Sequence, residues 1–326
     1  MTNLDLNQII QYYNDELQTF KEKFRLSMKS NVGLVELITR YILRQKSKKI
    51  RPLLVILSAK LCGKVDDRTY RGANLVELLH TATLVHDDVV DSAEERRGFP
   101  SINALWKNKI AVLMGDYLLA RGLMLAVEGD DFDFLKVITS TVKRMSEGEL
   151  LQISKTRKLN NNYETYFKII SDKTASLIAT CCEIGARSIT SDNEKINALV
   201  EYGESLGIAF QITDDILDYV GKTKLFGKPI GGDIKEKKLT LPLIYALQNC
   251  TETEKKEILK IIKKDKKSDD ISKVIKFVIN KGGIEYSYKV ANEFADKAKN
   301  ALSIFPDSDA KAHLCNVVDF VVVRNN

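Results

Sequence analysis

The sequence predicts an all-α fold, a single domain built as a bundle of long antiparallel helices around a central cavity. Apolar residues recur at spacings of three and four along most of the chain, which is the helical period. Only five prolines occur, each near the edge of a periodic segment, and strand-like alternation is scarce. The 326 residues, with 44% hydrophobic content, suffice to bury a large core. We therefore expect one domain over residues 1–326, with about a dozen helices and no sheet.

The helical period is clearest in three segments, taken here in chain order. The first helix is expected over residues 72–92. Two apolar series mark the second and third helices, namely Leu135, Ile138, Val142, Met145 and Ala291, Phe294, Ala298, Ala301. The run NVVDFVVVRNN is ambiguous, because its β-branched residues suit a strand, whereas Val317, Phe320 and Val321 also share one helical face.

Charge and targeting patterns exclude several classes of protein. The net charge of +6 is modest, and its basic residues gather at positions 44–51 and 255–267, the second group on a pattern typical of a solvated helix face. No aromatic platform, zinc finger or RNP-like motif accompanies them, so nucleic-acid binding is not expected. Charged residues interrupt the apolar runs and no secretory signal pattern is present, so we expect a cytoplasmic protein without a transmembrane helix.

The cysteines argue against a disulfide framework and against a zinc site. Their number is odd, and they have neither CxxC spacing nor neighbouring histidines. We expect all five to be reduced, mostly buried and outside the chemistry: Cys62, Cys181, Cys182, Cys250 and Cys315.

Three carboxylates crowd the segment HTATLVHDDVVD, residues 80–91. In a helix, Asp87 and Asp91 share a face, whereas Asp88 is rotated away by about 100°. Like charges at that spacing cost stability, so they need a cation or an exposed position. A lone DDxxD pattern also fits the frayed acidic end of a helix.

A second copy of the pattern favours the functional interpretation. The segment QITDDILDY carries Asp214, Asp215 and Asp218 in the same spacing, again at the end of an apolar run. Two such helix ends facing each other would line a cavity with carboxylate oxygens. That lining suits Mg²⁺ bound partly by protein and partly by substrate phosphates, whereas the ligand spacing of an EF-hand is missing.

Basic side chains near both motifs supply the complementary charge. Arginine offers a planar fork to phosphate oxygens and lysine a point charge, so this mixture predicts oxyanion binding. The residues are Arg96 and Arg97 after the first motif, Lys228 after the second, and Lys48, Arg51, Lys173 and Lys238 in polar breaks between helices.

In these residues the chain resembles the trans-type polyprenyl diphosphate synthases. The matching segments, in that family's order and spacing, are KKIRP, HTATLVHDDVVD, RRG, GDYLLA, SDKTA, FQITDDILD and GKPIGGDIKEKKLTLP. The resemblance implies a helical bundle of the isoprenoid synthase type, a homodimer and Mg²⁺ as cofactor. It also implies a reaction in which an allylic diphosphate ionises and its carbocation is attacked by the double bond of isopentenyl diphosphate, followed by loss of a proton.

The resemblance further implies roles for individual residues. Mg²⁺ would be held by Asp87, Asp91 and Asp214, with Asp218 acting through water and with Asp88 and Asp215 behind them. The catalytic group would comprise Asp87, Asp91, Asp214, Lys173 and Arg96. The allylic diphosphate would contact Arg96, Lys173, Lys228 and Lys238, with Thr174 and Gln211 near the developing cation. Isopentenyl diphosphate would bind Lys48, Arg51, His80 and Arg97.

One segment departs from the family pattern. Lys46 and Ser47 stand at the usual glycine pair, and Lys49 stands at an arginine position. Glycines let the backbone approach a phosphate closely, so we expect isopentenyl diphosphate to bind differently here. His86, beside the first motif but rotated away, is expected to be structural. The segment GKTKLFGKPIGGD is expected to form a closing loop that excludes water.

Small residues before the first motif bear on product length. Ala82 and Thr83 lie about one turn before Asp87, with Leu79 a further turn away, where short-product members of the family often carry aromatic side chains. We therefore expect an open tunnel and a hexaprenyl to nonaprenyl product from a farnesyl or geranylgeranyl primer. Octaprenyl diphosphate for a quinone side chain is favoured, with release at a membrane surface left open.

Three alternatives stay open. A short-chain farnesyl or geranylgeranyl diphosphate synthase would differ in how the tunnel is closed. A terpene cyclase also uses DDxxD but needs no isopentenyl diphosphate site, so Lys48, Arg51 and Arg97 argue against it. A non-catalytic subunit of a heteromeric synthase would be expected to lose carboxylates, and this chain keeps both sets.

Overall fold

The computed structural model of the chain describes residues 5–45, 49–96, 98–159, 162–221, 230–263 and 268–323. Several sequence predictions fall outside the described residues. They concern Lys46, Ser47, Lys48, Arg97, Lys228 and most of the expected closing loop, residues 222–229.

The described part of the chain is almost entirely helical, which confirms the predicted fold class. Its α-helices are α1 Leu6–Tyr12, α2 Asn14–Ser27, α3 Gly33–Arg44, α4 Ile50–Cys62, α5 Asp67–Val90, α6 Ile102–Glu128, α7 Phe132–Lys158, α8 Tyr163–Ile170, α9 Ser176–Arg187, α10 Asn193–Val220, α11 Gly232–Lys235, α12 Leu241–Gln248, α13 Glu252–Lys263, α14 Ser268–Asn280, α15 Gly283–Ala301 and α16 Asp309–Val323. A π-helical turn, Ser171–Ala175, joins α8 to α9, and a 3₁₀ turn, Leu302–Ile304, follows α15.

The secondary structure differs from the sequence prediction in one detail and decides one ambiguous segment. The expectation of no sheet is wrong at one place, where β1 Glu95–Arg96 pairs antiparallel with β2 Phe99–Pro100. The ambiguous valine-rich run near the carboxyl end is helical, as part of α16. Burial of Val317, Val318 and Val321 on that helix outweighs their preference for strands.

The chain divides into two compact units. Unit 1 comprises residues 1–140, 180–199 and 305–314, and unit 2 comprises residues 141–179, 200–304 and 315–326. The single-domain assignment stays a prediction.

The core of unit 1 is built on α4, α5 and α6. Every residue of α4 from Pro52 to Ala59 is buried, and α5 packs most extensively against α6. Helix α5 begins with a capping box, in which the Asp66 carboxylate accepts from the amide of Thr69 at 3.0 Å. The cap and the packing against α4 and α6 stabilise α5, which ends at the first aspartate motif.

A buried carboxylate ties the start of α5 to the start of α7 within unit 1. Asp131, whose side chain is 3% exposed, accepts from Arg68 Nε at 2.8 Å and from Arg71 Nε at 2.8 Å. The Arg68 guanidinium also pairs with Asp133 at 2.6 Å and lies 4.4 Å from the ring centroid of Phe134. Asp131 is therefore shared by two half-buried arginines, and Asp133 adds a second carboxylate to Arg68.

Unit 2 has its own apolar core. Helices α10, α12, α14 and α15 contribute most of it, and Tyr166 and Ile170 of α8 join the same cluster. The core underlies the second aspartate motif, because Ile212 and Ile216 of α10 are fully buried between the polar positions of that motif.

Helix α6 differs from what its charges suggest. It is kinked at Lys107. By length and composition it is apolar enough to cross a membrane, and 33% of its most apolar 18-residue stretch is buried. Asp116 and Arg121 do interrupt the apolar run of α6, as expected, and the helix nevertheless keeps a high mean hydropathy. Core helices of soluble proteins pass the same test, so this finding is weak evidence for a membrane span.

The cysteines are free, as expected, although the expected burial holds only in part. Cys181 and Cys182 are buried, whereas Cys62, Cys250 and Cys315 are half-buried. Burial raises the pKa of the Cys62 thiol to about 11, which leaves it protonated and unreactive near neutral pH.

We predict that Asp131→Asn lowers the free energy of unfolding by about 2–4 kcal/mol, because it leaves the half-buried Arg71 without its carboxylate and Arg68 with Asp133 alone. Urea denaturation followed by circular dichroism measures this value. Asp130→Asn is the matched control, since it removes the same charge from an exposed neighbouring position. Equal stability of the two variants would contradict the prediction.

Candidate active site

The first aspartate motif lies at the carboxyl end of α5. Asp91 caps the helix, and Ser92 follows with φ 51°, in the left-handed region. The amide of Ala93 donates to the carbonyl of Asp88 at 2.9 Å, and that of Ser92 to Val89 at 3.3 Å, which is a Schellman motif. Carboxylates at a helix carboxyl end are disfavoured by roughly 0.3–1 kcal/mol each. The position itself therefore favours binding of a cation.

Asp88 and Arg96 form an ion pair beside this motif. The Nε of Arg96 donates to Oδ1 of Asp88 at 2.7 Å, and Asp88 is 4% exposed. Burial raises the pKa of Asp88, and Arg96 opposes the shift. Arg96 lies in β1, and Gly98 closes the ribbon with φ 77°, a value that favours glycine. The pair holds the guanidinium next to the motif and keeps the Asp88 carboxylate occupied.

Other predicted residues of unit 1 lie on α4 and α5. Arg51 is in the first turn of α4, and His80 is buried in α5. The predicted chain-length residues Leu79 and Ala82 are also buried, and Thr83 is half-buried, its hydroxyl donating to the His80 carbonyl at 2.9 Å. One face of α5 thus carries small and apolar residues, and its end carries the acids.

His86 packs against α6, as expected for a structural residue. Its Nε2 lies 3.2 Å from the carbonyl oxygen of Val112 and 3.3 Å from a carboxylate oxygen of Asp116. A Cβ on Gly115 would lie 2.2 Å from the same nitrogen. The ring therefore fits only because position 115 has no side chain, and it fixes the last turn of α5 to α6.

The second motif lines a cavity of about 670 Å³ within unit 2. Side chains from α7, α8, the π-helical turn, α10 and the segment from residue 230 to 240 form its wall. Seven residues singled out from the sequence line it together: Lys173, Thr174, Gln211, Asp214, Asp215, Asp218 and Lys238. Spacings of up to 65 residues are thereby brought to one site that combines acids, lysines and amide and hydroxyl groups.

The π-helical turn that carries Lys173 and Thr174 is held between two glycines. A Cβ on Gly148 of α7 would lie 3.0 Å from the amide nitrogen of Lys173, and one on Gly207 of α10 would lie 2.5 Å from the Cα of Ala175. Backbone atoms cannot move aside as a flexible side chain can. Since π turns are rare and concentrate at functional sites, this tight packing supports a functional role for the turn.

A chain of hydrogen bonds crosses the cavity wall. The hydroxyl of Thr174 donates to Oε1 of Gln211 at 2.9 Å, and Nε2 of Gln211 donates to Oδ1 of Asp215 at 2.8 Å. The hydroxyl of Tyr166 donates to Oδ2 of Asp215 at 2.7 Å. Because Thr174 gives its hydrogen to Gln211, its oxygen lone pairs are left for the cavity.

Burial and neighbouring carboxylates shift the pKa values of three aspartates of unit 2. Burial and then Asp218 raise the pKa of Asp233 to about 6, with Lys238 opposing the shift. Burial, and after it Asp233, raises the pKa of Asp215. Burial also raises the pKa of Asp218, although its oxygens accept from the amides of Gly232 at 2.9 Å and Asp233 at 3.0 Å. The site therefore stores negative charge that a cation would stabilise.

The predicted lysines of the cavity are each held by a glutamate. Lys173 pairs with Glu149 of α7, and Lys238 pairs with Glu236 at 2.5 Å. All four side chains are partly exposed, so these pairs contribute little to stability. Their effect is to place two ammonium groups around the acidic wall.

The donor set fits a divalent cation held jointly with a phosphate. Among the described residues, no three histidine, cysteine or carboxylate side chains gather closely enough to hold a metal by themselves. Mg²⁺ is commonly bound through one or two carboxylates while substrate phosphates and water complete its shell. Asp214, which is exposed, and the neighbouring Asp218 offer that kind of partial site.

Two residues of the cavity wall, Asp233 and Tyr166, and one that pairs with a wall lysine, Glu149, were not predicted from the sequence. Asp233 follows two glycines and precedes Lys238 by five residues. The glycines indicate a turn, but nothing in the sequence indicates that the Asp233 carboxylate lies beside the second motif. Tyr166 lies seven residues before Lys173, about two helical turns away, so the spacing alone could have placed both on one helical face. Glu149 has no signal in the sequence, because only the packing of α7 brings it to Lys173.

The helical fold and a cavity lined by acids and lysines define a helical isoprenoid synthase. The chain belongs to the polyprenyl synthetase family, whose model matches residues 33–278. It is therefore a prenyltransferase. The expected family and the expected enzyme class are both confirmed.

Individual relatives agree over nearly the whole chain. It is 37% identical over 296 residues to an all-trans-nonaprenyl-diphosphate synthase (geranyl-diphosphate specific) of Rhodobacter capsulatus, covering 90% of each chain. It is 32% identical to heptaprenyl diphosphate synthase component 2 of Bacillus subtilis, covering 96% of this chain and 89% of that protein. The crystal structure of a polyprenyl synthase from Caulobacter crescentus, complexed with calcium and isoprenyl diphosphate, is similar with a TM-score of 0.92 at 33% identity, covering 100% of both chains.

We predict that Gly207→Ala disrupts the π-helical turn. The added methyl group would press on the backbone of Ala175, which should cost about 1–3 kcal/mol of stability. Because Lys173 and Thr174 would shift with the turn, prenyl transfer should fall by at least about tenfold. Thermal unfolding and steady-state assays well below the melting temperature measure both effects.

Gly33→Ala is the matched control, because its Cβ would meet nothing within 4 Å and Gly33 opens α3. This variant should keep the activity and the melting temperature of the parent. If Gly207→Ala behaves like Gly33→Ala, the turn tolerates displacement and the argument from close packing fails.

Proposed function

We propose that the chain is a Mg²⁺-dependent trans-prenyltransferase that condenses isopentenyl diphosphate with farnesyl or geranylgeranyl diphosphate. Its product is proposed to be a long all-trans polyprenyl diphosphate, octaprenyl in the favoured case, for a quinone side chain. The observation that carries the proposal is the convergence of Lys173, Asp214 and Lys238 with Thr174 and Gln211 around one cavity. An acidic wall with flanking ammonium groups matches a metal-bound diphosphate better than any uncharged ligand.

The residues of the cavity can divide the work of ionising an allylic diphosphate. Lys173 and Lys238 place ammonium groups where the leaving diphosphate gains negative charge, which favours the transition state over the ground state. The oxygen of Thr174, whose hydrogen goes to Gln211, presents lone pairs that stabilise a nearby carbocation. Asp215 and Tyr166 hold the amide of Gln211 in that orientation.

The remaining steps need no nucleophilic side chain. As the carbon–oxygen bond breaks, its electron pair leaves with the diphosphate, and the double bond of isopentenyl diphosphate forms the new carbon–carbon bond. The proton lost from the adjacent carbon is accepted by the departing diphosphate. Asp87, Asp91 and Asp214 would hold Mg²⁺, with Asp218 acting through water, and the ion would supply charge neutralisation at the leaving oxygens.

The proposed chain length rests on the small residues before the first motif. Ala82 is buried in α5 and Thr83 is half-buried, and neither is large enough to act as an aromatic floor. The names of relatives between 30 and 37% identical range from geranylgeranyl through octaprenyl to nonaprenyl diphosphate synthase. A geranylgeranyl product is therefore the second candidate.

A heteromeric synthase is a further candidate, because one relative 32% identical is named component 2 of a heptaprenyl diphosphate synthase. The two aspartate motifs are intact here, which favours a catalytic subunit if a partner polypeptide exists.

We also propose that the chain forms a homodimer through α6. Five apolar side chains on this helix are exposed: Leu105, Val112, Leu113, Met124 and Val127. Exposed apolar residues in a row along one helix favour contact with another protein surface. A second copy offers the same surface and so gives a self-complementary contact.

The function is tested by incubating the purified chain with Mg²⁺, radiolabelled isopentenyl diphosphate and farnesyl diphosphate, followed by mass analysis of the products. Elongation by several isoprene units supports the proposal, and chelation with EDTA should abolish it until Mg²⁺ is restored. A single added unit favours the geranylgeranyl synthase, and a cyclic hydrocarbon overturns the assignment. Activity seen only with a second polypeptide supports the heteromeric synthase.

We predict that Ala82→Phe shortens the product by several isoprene units, because a ring at this buried position would obstruct the growing chain. Ala82→Leu should give an intermediate length, and Ala104→Phe on the exposed face of α6 should change nothing. Chromatography of the dephosphorylated, labelled prenyl alcohols measures the length. An unchanged length in an active Ala82→Phe variant would defeat the tunnel argument.

We predict that Leu113→Glu shifts the chain towards a monomer, because Leu113 is 55% exposed on α6 and a buried charge at the dimer contact is costly. Sedimentation velocity should show the apparent mass halved. Leu150→Glu is the matched control, since Leu150 is as exposed but lies on α7. Equal masses for the two variants would exclude α6 as the contact.

A further inference from the structure

A buried glutamate in unit 1 has no part in the mechanism described above. Glu77 lies in the middle of α5 and is 5% exposed, on a buried stretch that is mostly apolar apart from Asn74 and His80. Removing a carboxylate from water is unfavourable unless a partner compensates. A charge kept in such a place needs a reason.

The partner of Glu77 is Lys49, at the start of α4. Its Nζ lies 3.0 Å from Oε1 of Glu77, and both side chains are largely shielded from water. Lys49 has φ 51° and ψ 34°, a left-handed conformation that is strained for a non-glycine residue. Its ammonium also lies 5.4 Å from the ring centroid of Phe24. The surroundings therefore hold a strained residue in one place.

The ion pair joins the two segments that carry the predicted isopentenyl diphosphate residues. Arg51 is two residues after Lys49 in the first turn of α4, and His80 is three residues after Glu77, one turn along α5. Burial raises the pKa of the Cys181 thiol, Arg51 opposes the shift and Glu77 adds to it, so both charges lie near one sulfur. Arg51 and Glu77 thus share a small region on these two helices.

We infer that Glu77 is a positioning residue for isopentenyl diphosphate, acting through Lys49 to fix the distance between Arg51 and His80. The inference rests on the proposed function. It also explains why lysine suffices at a position where the family usually has arginine. The Lys49 side chain donates to the Glu77 carboxylate, for which a single ammonium group suffices. The diphosphate would then be bound by neighbouring residues such as Arg51 and His80.

The sign of the expected effect separates positioning from simple electrostatics. Glu77 places a negative charge near a site for an anionic substrate, so by Coulomb's law its removal should strengthen binding. If Glu77 acts by positioning, its removal should weaken binding. The two explanations therefore predict opposite changes in the KM for isopentenyl diphosphate.

The test is steady-state kinetics of Glu77→Gln with each substrate varied in turn. We expect the KM for isopentenyl diphosphate to rise about tenfold, while the KM for farnesyl diphosphate and kcat change by less than about threefold. Lys49→Met should have the same effect, and the double variant should be no worse than either single one, because both disable one device. Lys49→Arg should keep both KM values and kcat at those of the parent, because arginine can also pair with Glu77.

The control is Glu16→Gln, because Glu16 of α2 pairs with Lys60 near the other end of α4. It removes a carboxylate partner from the same helix and should leave both KM values unchanged. Melting temperatures of all variants show whether a loss is general.

Three results would overturn the inference: a lower KM for isopentenyl diphosphate in Glu77→Gln, an equal rise in both KM values, or additive effects in the double variant. Failure of the proposed function gives a different result, since the parent chain would then not elongate at all.

Discussion

Repulsion between carboxylates is the interaction on which the rest of the candidate site depends. Asp215 of unit 2 is buried and Asp218 and Asp233 are half-buried, and burial together with neighbouring carboxylates raises the pKa of all three. The surrounding groups reduce that repulsion in part, because amides, a tyrosine hydroxyl and a glutamine amide occupy the oxygens of Asp215 and Asp218. The uncompensated remainder creates an affinity for cations, and a cation at this site in turn attracts a diphosphate.

Backbone packing determines where these charges can lie. The first motif stands at a helix end fixed by a Schellman motif, and His86 anchors that end to α6 through the space left by Gly115. In unit 2, Gly148 and Gly207 let α7 and α10 approach the π-helical turn more closely than any side chain would allow. Both arrangements place polar groups on rigid helices rather than on loops, which suits a site that must hold a precise geometry.

The sequence was sufficient for features that depend on local period and residue type. Helical spacing and few prolines predict the all-α fold, and the second DDxxD pattern with the lysines predicts five residues that line one cavity, to which the family resemblance adds Thr174 and Gln211. Contacts between helices that are distant in the sequence could not be predicted from local period and residue type. Glu149 and Asp233 reach the site only through tertiary packing, and the left-handed Lys49 is stabilised by Glu77 from another helix. The valine-rich end of the chain shows the same limit, because burial on α16 outweighs strand propensity.

The π-helical turn between α8 and α9 has a consequence for how the family can change in length. In effect, such a turn is an α-helix into which one residue has been inserted, and each residue turns a helix by about 100°. A deletion in residues 171–175 that restored regular α-helix would rotate α8 and α9 relative to each other. Tyr166 and Lys173 could then no longer both face the second motif. Insertions and deletions should therefore be rarer in this segment than substitutions, so that its length is more constrained than its composition.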